Sequence, residues 1–260
     1  MTELVVDDVW IERRHRSILR GISFRARPGV AVAIMGPNGA GKSTALLAAL
    51  GIVPVQKGRV MLDGRSVFAY GPRERAARLA WLPQDTQPIE PLPVWEWIAA
   101  ARFRFRETAT EVRDYAIRAL AAVGADGFAD RAVTTLSGGE RQRVALAALF
   151  AQDAQLLFAD EPASHLDPRL QRETYEHLGA RVRAGAGLVV ITHDINLLGA
   201  LRCPIHLVGI TKGQTAFEDA YPSSSIANHL SGLFGVQFCE VSVDNRSFYV
   251  VSPRAETSPL

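Results

Sequence analysis

Apolar and polar positions alternate over residues 3–9, a Val-rich stretch that predicts a first strand, and the polar run 12–16 predicts a bend. A second strand is expected over 18–26, followed by a turn at Arg27-Pro28-Gly29. Residues 30–35 are continuously apolar, the pattern of a strand buried on both faces of a sheet. A strand with its turn is expected over 57–64 and another strand over 79–82. Two further apolar runs, 156–159 and 188–192, end in acids and at His193 respectively. Helical composition marks 43–51, 73–78, 94–105, 110–123 and 138–152. Past His206 the pattern predicts short strands, a helix over 223–234, and two strands around an Asp244-Asn245 turn.

Helices alternate with apolar strands, so the core is expected to be a parallel sheet with right-handed crossovers. The helix-rich stretch from about 84 to 148 interrupts that alternation and predicts a separate lobe, while 252–260 reads as a frayed tail.

Composition narrows the class. The chain has 260 residues, 48% of them apolar, which is globular rather than disordered. Lys and Arg number 29 against 27 Asp and Glu, a balance that argues against a nucleic-acid partner. No run of about 18 apolar residues is present, and the first residues lack a basic patch with an apolar core. A soluble cytoplasmic protein is expected, with Cys203 and Cys239 as reduced thiols lacking metal-type spacing.

Candidate chemistry sits where the apolar runs end. Gly36-Pro37-Asn38-Gly39-Ala40-Gly41-Lys42-Ser43-Thr44 follows the first buried strand and opens a helix. Its glycines let backbone N–H groups turn toward phosphates, Lys42 can reach the β and γ phosphates, and the Ser43 hydroxyl can ligate Mg²⁺. The run 155–159 delivers Asp160, suited to Mg²⁺, and Glu161, suited to deprotonating a water. Leu136-Ser137-Gly138-Gly139-Glu140 caps a helix whose bare N–H groups form a second anion site. The two sites meet on one γ-phosphate if the chain folds them together or if two copies dock head to tail. His193 suits a γ-phosphate sensor, and the amide of Gln84 suits Mg²⁺ or the attacking water.

These segments, in this order, resemble the ATP-binding-cassette (ABC) family over about residues 2–251, most specifically in the LSGGE sequence at 136–140 followed by Arg141-Gln142-Arg143. The resemblance implies an α/β fold: a P-loop NTPase core with a mixed, mostly parallel sheet, an N-terminal antiparallel β subdomain and an inserted α-helical lobe. One domain is implied over 2–251, with the lobe at about 85–148 and a C-terminal β hairpin at about 236–251. It also implies an ATP hydrolase using ATP and Mg²⁺, with ATP held between the phosphate loop of one copy and the Ser137–Glu140 signature of a second. Gln84 then links to transmembrane permease subunits, Asp167 lies in the loop through which the two sites communicate, and His193 is the switch histidine. A solute-binding protein is implied for the whole complex, and the cytoplasmic face of the inner membrane for its location.

Within the family the chain is similar to importer ATPases for metal chelates (ferric siderophores, haem, vitamin B12), on its Leu82-Pro83-Gln84 linker, its prolines before Val94-Trp95, and Leu233-Phe234-Gly235-Val236. Relatives taking up molybdate or other solutes share much of this pattern. The segment 85–105, with Pro88, Pro91, Pro93, Trp95, Trp97 and Phe103, is the expected permease dock. One position departs from the family: Arg13 stands where many members place an aromatic residue on adenine, and a guanidinium can stack on a base or belong to a solvated turn. A chromosome-organising ATPase would need a long heptad insertion, and a two-cassette translation factor a second set of motifs; the chain has neither.

Overall fold

A computed structural model describes residues 2–85, 90–244 and 246–252. In chain order the elements are β1 (Leu4–Arg13), β2 (Arg16–Ala26), β3 (Ala31–Met35), α1 (Lys42–Ala49), β4 (Lys57–Leu62), β5 (Arg65–Ser66), α2 (Pro72–Ala76) and β6 (Leu79–Leu82). Then come α3 (Val94–Ala100), α4 (Ala109–Ala121), α5 (Gly138–Ala151), β7 (Leu156–Asp160), α6 (Pro168–Arg183) and β8 (Gly187–Ile191). The chain continues through a 3₁₀ segment, Ile195–Leu201, to β9 (Ile205–Thr211), β10 (Gln214–Tyr221), α7 (Ile226–Phe234), β11 (Phe238–Val243) and β12 (Arg246–Val251).

The central sheet has the order β10-β9-β3-β8-β7-β6, parallel throughout except for β10, which returns antiparallel on β9. A mixed, mostly parallel sheet is therefore what forms. A second sheet, β2-β1-β4-β5, is antiparallel, and β11 and β12 make a hairpin of their own.

Every residue of β3, β7 and β8 is buried, because layers cover both faces of the central sheet. Period-2 geometry sends Val32, Ile34, Phe158 and Ile191 into a core shared with α1 and the antiparallel sheet. Ala33, Met35, Leu157 and Val190 face the opposite core, shared with the helices α3 to α7. Each fully buried large apolar side chain contributes roughly 1.5–3 kcal/mol.

Two expectations need correction. The helix expected over 94–105 ends at Ala100, because the chain turns to bury Arg102. Its guanidinium pairs with Glu107, donates to the Ala151 carbonyl at 2.8 Å, and lies 3.5 Å from the Tyr115 ring centre. A buried charge so fully paired ties the turn to the end of α5. The helix α6 was not among the expected elements, although Asp167 caps it, Pro168 opens it, and Leu170, Thr174, Leu178 and Val182 recur every four residues. It packs so closely on Ile195–Leu201 that a Cβ on Gly179 would stand 2.0 Å from the Leu201 carbonyl oxygen. The expected residues Pro88 and Asn245, and the tail from 253 on, lie outside the described residues.

Candidate active site

The order β3-β8-β7-β6 sets four carboxyl ends side by side, so residues far apart in sequence converge. Beyond β3 comes the loop 36–41, beyond β8 His193, beyond β7 Glu161, and beyond β6 Gln84. Together they line an open cleft of about 700 Å³ that includes Asn38, Gly39, Ala40, Gly41, Lys42, Ser43 and Thr44.

Glycine is required at two places in the loop. A Cβ on Gly36 would meet the Ile210 carbonyl oxygen at 2.0 Å, and Gly41, with φ of 101°, would push one into Leu19 at 2.7 Å. The backbone can thus curl under the start of α1, with the Ala40 N–H donating to the Pro37 carbonyl at 3.2 Å. Lys42 is buried, and its Nζ donates to the carbonyls of Gly36 at 2.9 Å and Pro37 at 3.0 Å, closing the loop on itself. Burial holds its pKa below the ordinary lysine value, against the opposing pull of Glu161 and Asp160.

Asp160 is buried, with the Ser43 hydroxyl close enough to its carboxylate to lower its pKa. Burial pushes the Asp160 carboxyl above the usual range, although Ser43 and Lys42 pull the other way. One oxygen, Oδ1, is buried with no hydrogen-bond partner. Glu161 follows in the left-handed region at φ 47°, its N–H donating to the Ile191 carbonyl at 3.1 Å. A non-glycine residue held there stores of order 1–3 kcal/mol and turns its side chain toward the cleft. His193 Nε2 stands 2.7 Å from Glu161 Oε1, and Gln84 Nε2 donates to Oε2 at 3.1 Å.

The signature lies elsewhere. Ser137 caps α5, accepting from the Glu140 N–H at 3.4 Å while its own N–H donates to Glu140 Oε2 at 2.8 Å. Arg131 donates to Glu140 Oε1 at 2.7 Å, and this bond, followed by those from Ser137, holds the Glu140 carboxyl down at about 2. None of Ser137, Gly138, Gly139 and Glu140 lines the phosphate cleft. Asp167 does not line it either; its carboxylate accepts from the Arg169 and Leu170 N–H groups, both at 3.0 Å, to cap α6. Gly139 packs against Leu170, so the starts of α5 and α6 adjoin.

Ile18, Ser164 and His165 line the cleft and were not singled out as site residues. Ser164 and His165 follow Glu161 in the loop after β7, a signal available in the sequence, whereas Ile18 comes from the separate antiparallel sheet. Arg13 is not among the lining residues; it stands at the end of β1, beside the turn where Arg14 and His15 take φ of 47° and 61°.

The sequence profile described as "ABC transporter" matches residues 19–164, from β2 through the phosphate loop and signature to the loop after β7. The chain belongs to the ABC transporter family. It is an ATP-hydrolysing transporter subunit. The chain is 36% identical over 238 residues to the hemin import ATP-binding protein HmuV of Pseudomonas entomophila, covering 90% of this chain and 92% of that one. It is 41% identical over 187 residues to the protein of the same name from Streptomyces coelicolor, covering 71% and 67%. In fold it is similar to a putative metal-chelate type ABC transporter in an inward-facing conformation, with a TM-score of 0.81, 22% identity, and 98% and 99% of the chains covered. A dimeric bacterial ABC transporter cassette has a TM-score of 0.75 at 24% identity, covering 86% of this chain and all of the other.

Proposed function

We propose that this chain is the ATPase subunit of an importer for haem-type metal chelates. Two copies join head to tail, each ATP lying between the phosphate loop of one and the Ser137–Glu140 helix start of the other. The observation that carries this reading is the incompleteness of the cleft. Its own loops supply Lys42, Ser43, Gln84, Glu161 and His193, while the second anion-binding helix start stands outside it. A second copy would bring that helix start to the γ-phosphate. The haem assignment rests on the relatives named for hemin import.

The residues fit a magnesium ion bound with ATP. Asp160 Oδ1 is a buried acceptor without a partner, and the Ser43 hydroxyl lies near the same carboxylate. Among the described residues no group of three or more His, Cys, Asp and Glu could hold a metal ion, so phosphate oxygens would complete the set. Ser43 and Asp160 would hold the ion, with Gln84 at the cleft edge, and its charge would offset that of the phosphates.

The chain's own residues do the rest. Lys42 exchanges the Gly36 and Pro37 carbonyls for β and γ phosphate oxygens. Glu161 takes the proton of the attacking water, a role worth about 10²–10⁴ in rate. His193 and Gln84 hold both oxygens of Glu161 and so aim it. Ser137 and Gly138 of the partner copy stabilise charge on the γ-phosphate.

A groove of about 360 Å³ supports a dock for transmembrane permease subunits. Trp81 and Pro83 line it just before Gln84, facing Trp97 and Ala100 of the helical lobe and Ala148 of α5. No helix among the described residues is long and apolar enough to cross a membrane, in keeping with a peripheral place on the cytoplasmic face through the permease. A solute-binding protein would complete the importer.

The test is reconstitution with the permease in proteoliposomes, measuring ATP hydrolysis and uptake with binding protein carrying haem, a ferric siderophore, cobalamin or molybdate. Haem-dependent stimulation and uptake are expected. Stimulation by another solute instead of haem overturns the haem assignment, and uptake without ATP overturns the motor role.

A further inference from the structure

A second large cavity, about 610 Å³, opens between α6, the Ile195–Leu201 segment and the C-terminal hairpin, apart from the ATP cleft. Its volume lies in the range that holds small-molecule ligands, roughly 300–1,000 Å³. The hairpin is fastened over it: Asn196 Nδ2 donates to the Tyr249 carbonyl at 3.1 Å, and the Tyr249 N–H donates to Asn196 Oδ1 at 2.8 Å. The cavity is therefore preformed, and a ligand need not organise its walls.

The lining combines aromatic surface with unbalanced positive charge. Tyr221 and Phe248 supply rings, and Arg172, Arg202 and Arg246 supply three guanidinium groups against the single carboxylate of Glu176. That carboxylate is already shared, since Arg172 Nε donates to its Oε1 at 2.9 Å and Arg202 Nη2 lies 3.8 Å from the same oxygen. Arg246 has no side-chain hydrogen bond or ion pair among the described residues. Tyr221 adds no negative charge, because burial pushes its hydroxyl up to about 12. Guanidinium forks favour carboxylate-like groups, and ring faces favour flat apolar bodies.

We propose that this cavity binds an amphipathic organic anion, a flat apolar body bearing acidic groups held by Arg172, Arg202 and Arg246. Its floor includes Gly199, where the only atom within 4 Å of an added Cβ is the Tyr221 hydroxyl oxygen at 4.0 Å. A larger side chain there projects into the cavity without displacing backbone.

The probe is 8-anilinonaphthalene-1-sulfonate, titrated by fluorescence into the full chain with a non-hydrolysable ATP analogue saturating the other cleft. Stoichiometric binding is expected. Its Kd should rise about tenfold or more in Arg246→Glu, from the loss of one charge-assisted contact, and likewise in Gly199→Leu, from a side chain that fills the cavity. Thermal melts check that each variant is folded, and the exposed arginine makes Arg246→Glu the safer of the two. The proposal is overturned if both variants bind the probe as wild type does. It is overturned equally if the ATP analogue displaces the probe, or if N-phenyl-1-naphthylamine, which lacks the sulfonate, binds as tightly.

Discussion

His193 Nε2 lies 2.7 Å from Glu161 Oε1, while Gln84 Nε2 donates to the other oxygen of the same carboxylate at 3.1 Å. Three loops from three neighbouring strands thus meet on one acid, and that acid sits on backbone held at φ 47°. Both carboxylate oxygens of Glu161 are held by neighbouring side chains.

Replacing Glu161 with Gln keeps the shape and the Gln84 contact but removes the carboxylate proposed to accept the water's proton. ATP hydrolysis is expected to fall about 10²-fold or more, with ATP still bound. Size-exclusion chromatography in ATP and Mg²⁺ should show more dimer for this variant than for wild type; unchanged turnover would remove Glu161 from the base role.

His193→Ala leaves Glu161 held on one oxygen only. On the proposed mechanism, in which this contact aims the base, the expected result is a loss of roughly tenfold or more in kcat with a smaller change in KM. Steady-state kinetics separate the two, and a rise in KM alone would make His193 a binding residue.

A mixed dimer of one Ser137→Arg copy and one Lys42→Ala copy tests which subunit completes each site. Head-to-tail pairing concentrates both lesions in one site and leaves the other intact. Site-resolved nucleotide trapping in defined heterodimers should find one working site, whereas two defective sites would mean that each signature serves its own chain.

Glu140 carries a pH dependence. Its folded pKa, about 2, is depressed below the ordinary value of 4.5 by Arg131 and Ser137. Its stabilising contribution is therefore complete above about 4.5 and is lost as the pH falls through about 2. The gap in melting temperature between wild type and Glu140→Gln should narrow over that window, and a constant gap would show that the charge is irrelevant to the cap.

Cysteines placed along 90–105, above all at Trp97 and Ala100 in the groove beside Gln84, should cross-link to the permease in an assembled transporter. Free labelling of these positions by a bulky thiol reagent, with α1 protected instead, would move the dock elsewhere.

Much of this arrangement was legible in the residues. The continuous apolar runs of β3, β7 and β8 announce strands buried on both faces, and the glycines, Lys42 and the Asp160-Glu161 pair sit where such strands end. Local signals of this kind depend on spacing, which a chain carries by itself. The helix α6 also carries its own signals, an Asp167 cap, Pro168 and a stripe of Thr174, Tyr175, Leu178 and Val182 set among charged residues, which is the pattern of a half-buried helix. Arg102, by contrast, reads as a surface residue until Glu107 and the Ala151 carbonyl are found around it. Which loops become neighbours was decided by the strand order, a matter of long-range pairing that no local pattern states. Packing of the antiparallel sheet against the central one brings Ile18 to the cleft, while Arg13 and Ser137 are not among its lining residues. Residue chemistry was set by sequence, and its company by the packing of elements that meet only in three dimensions.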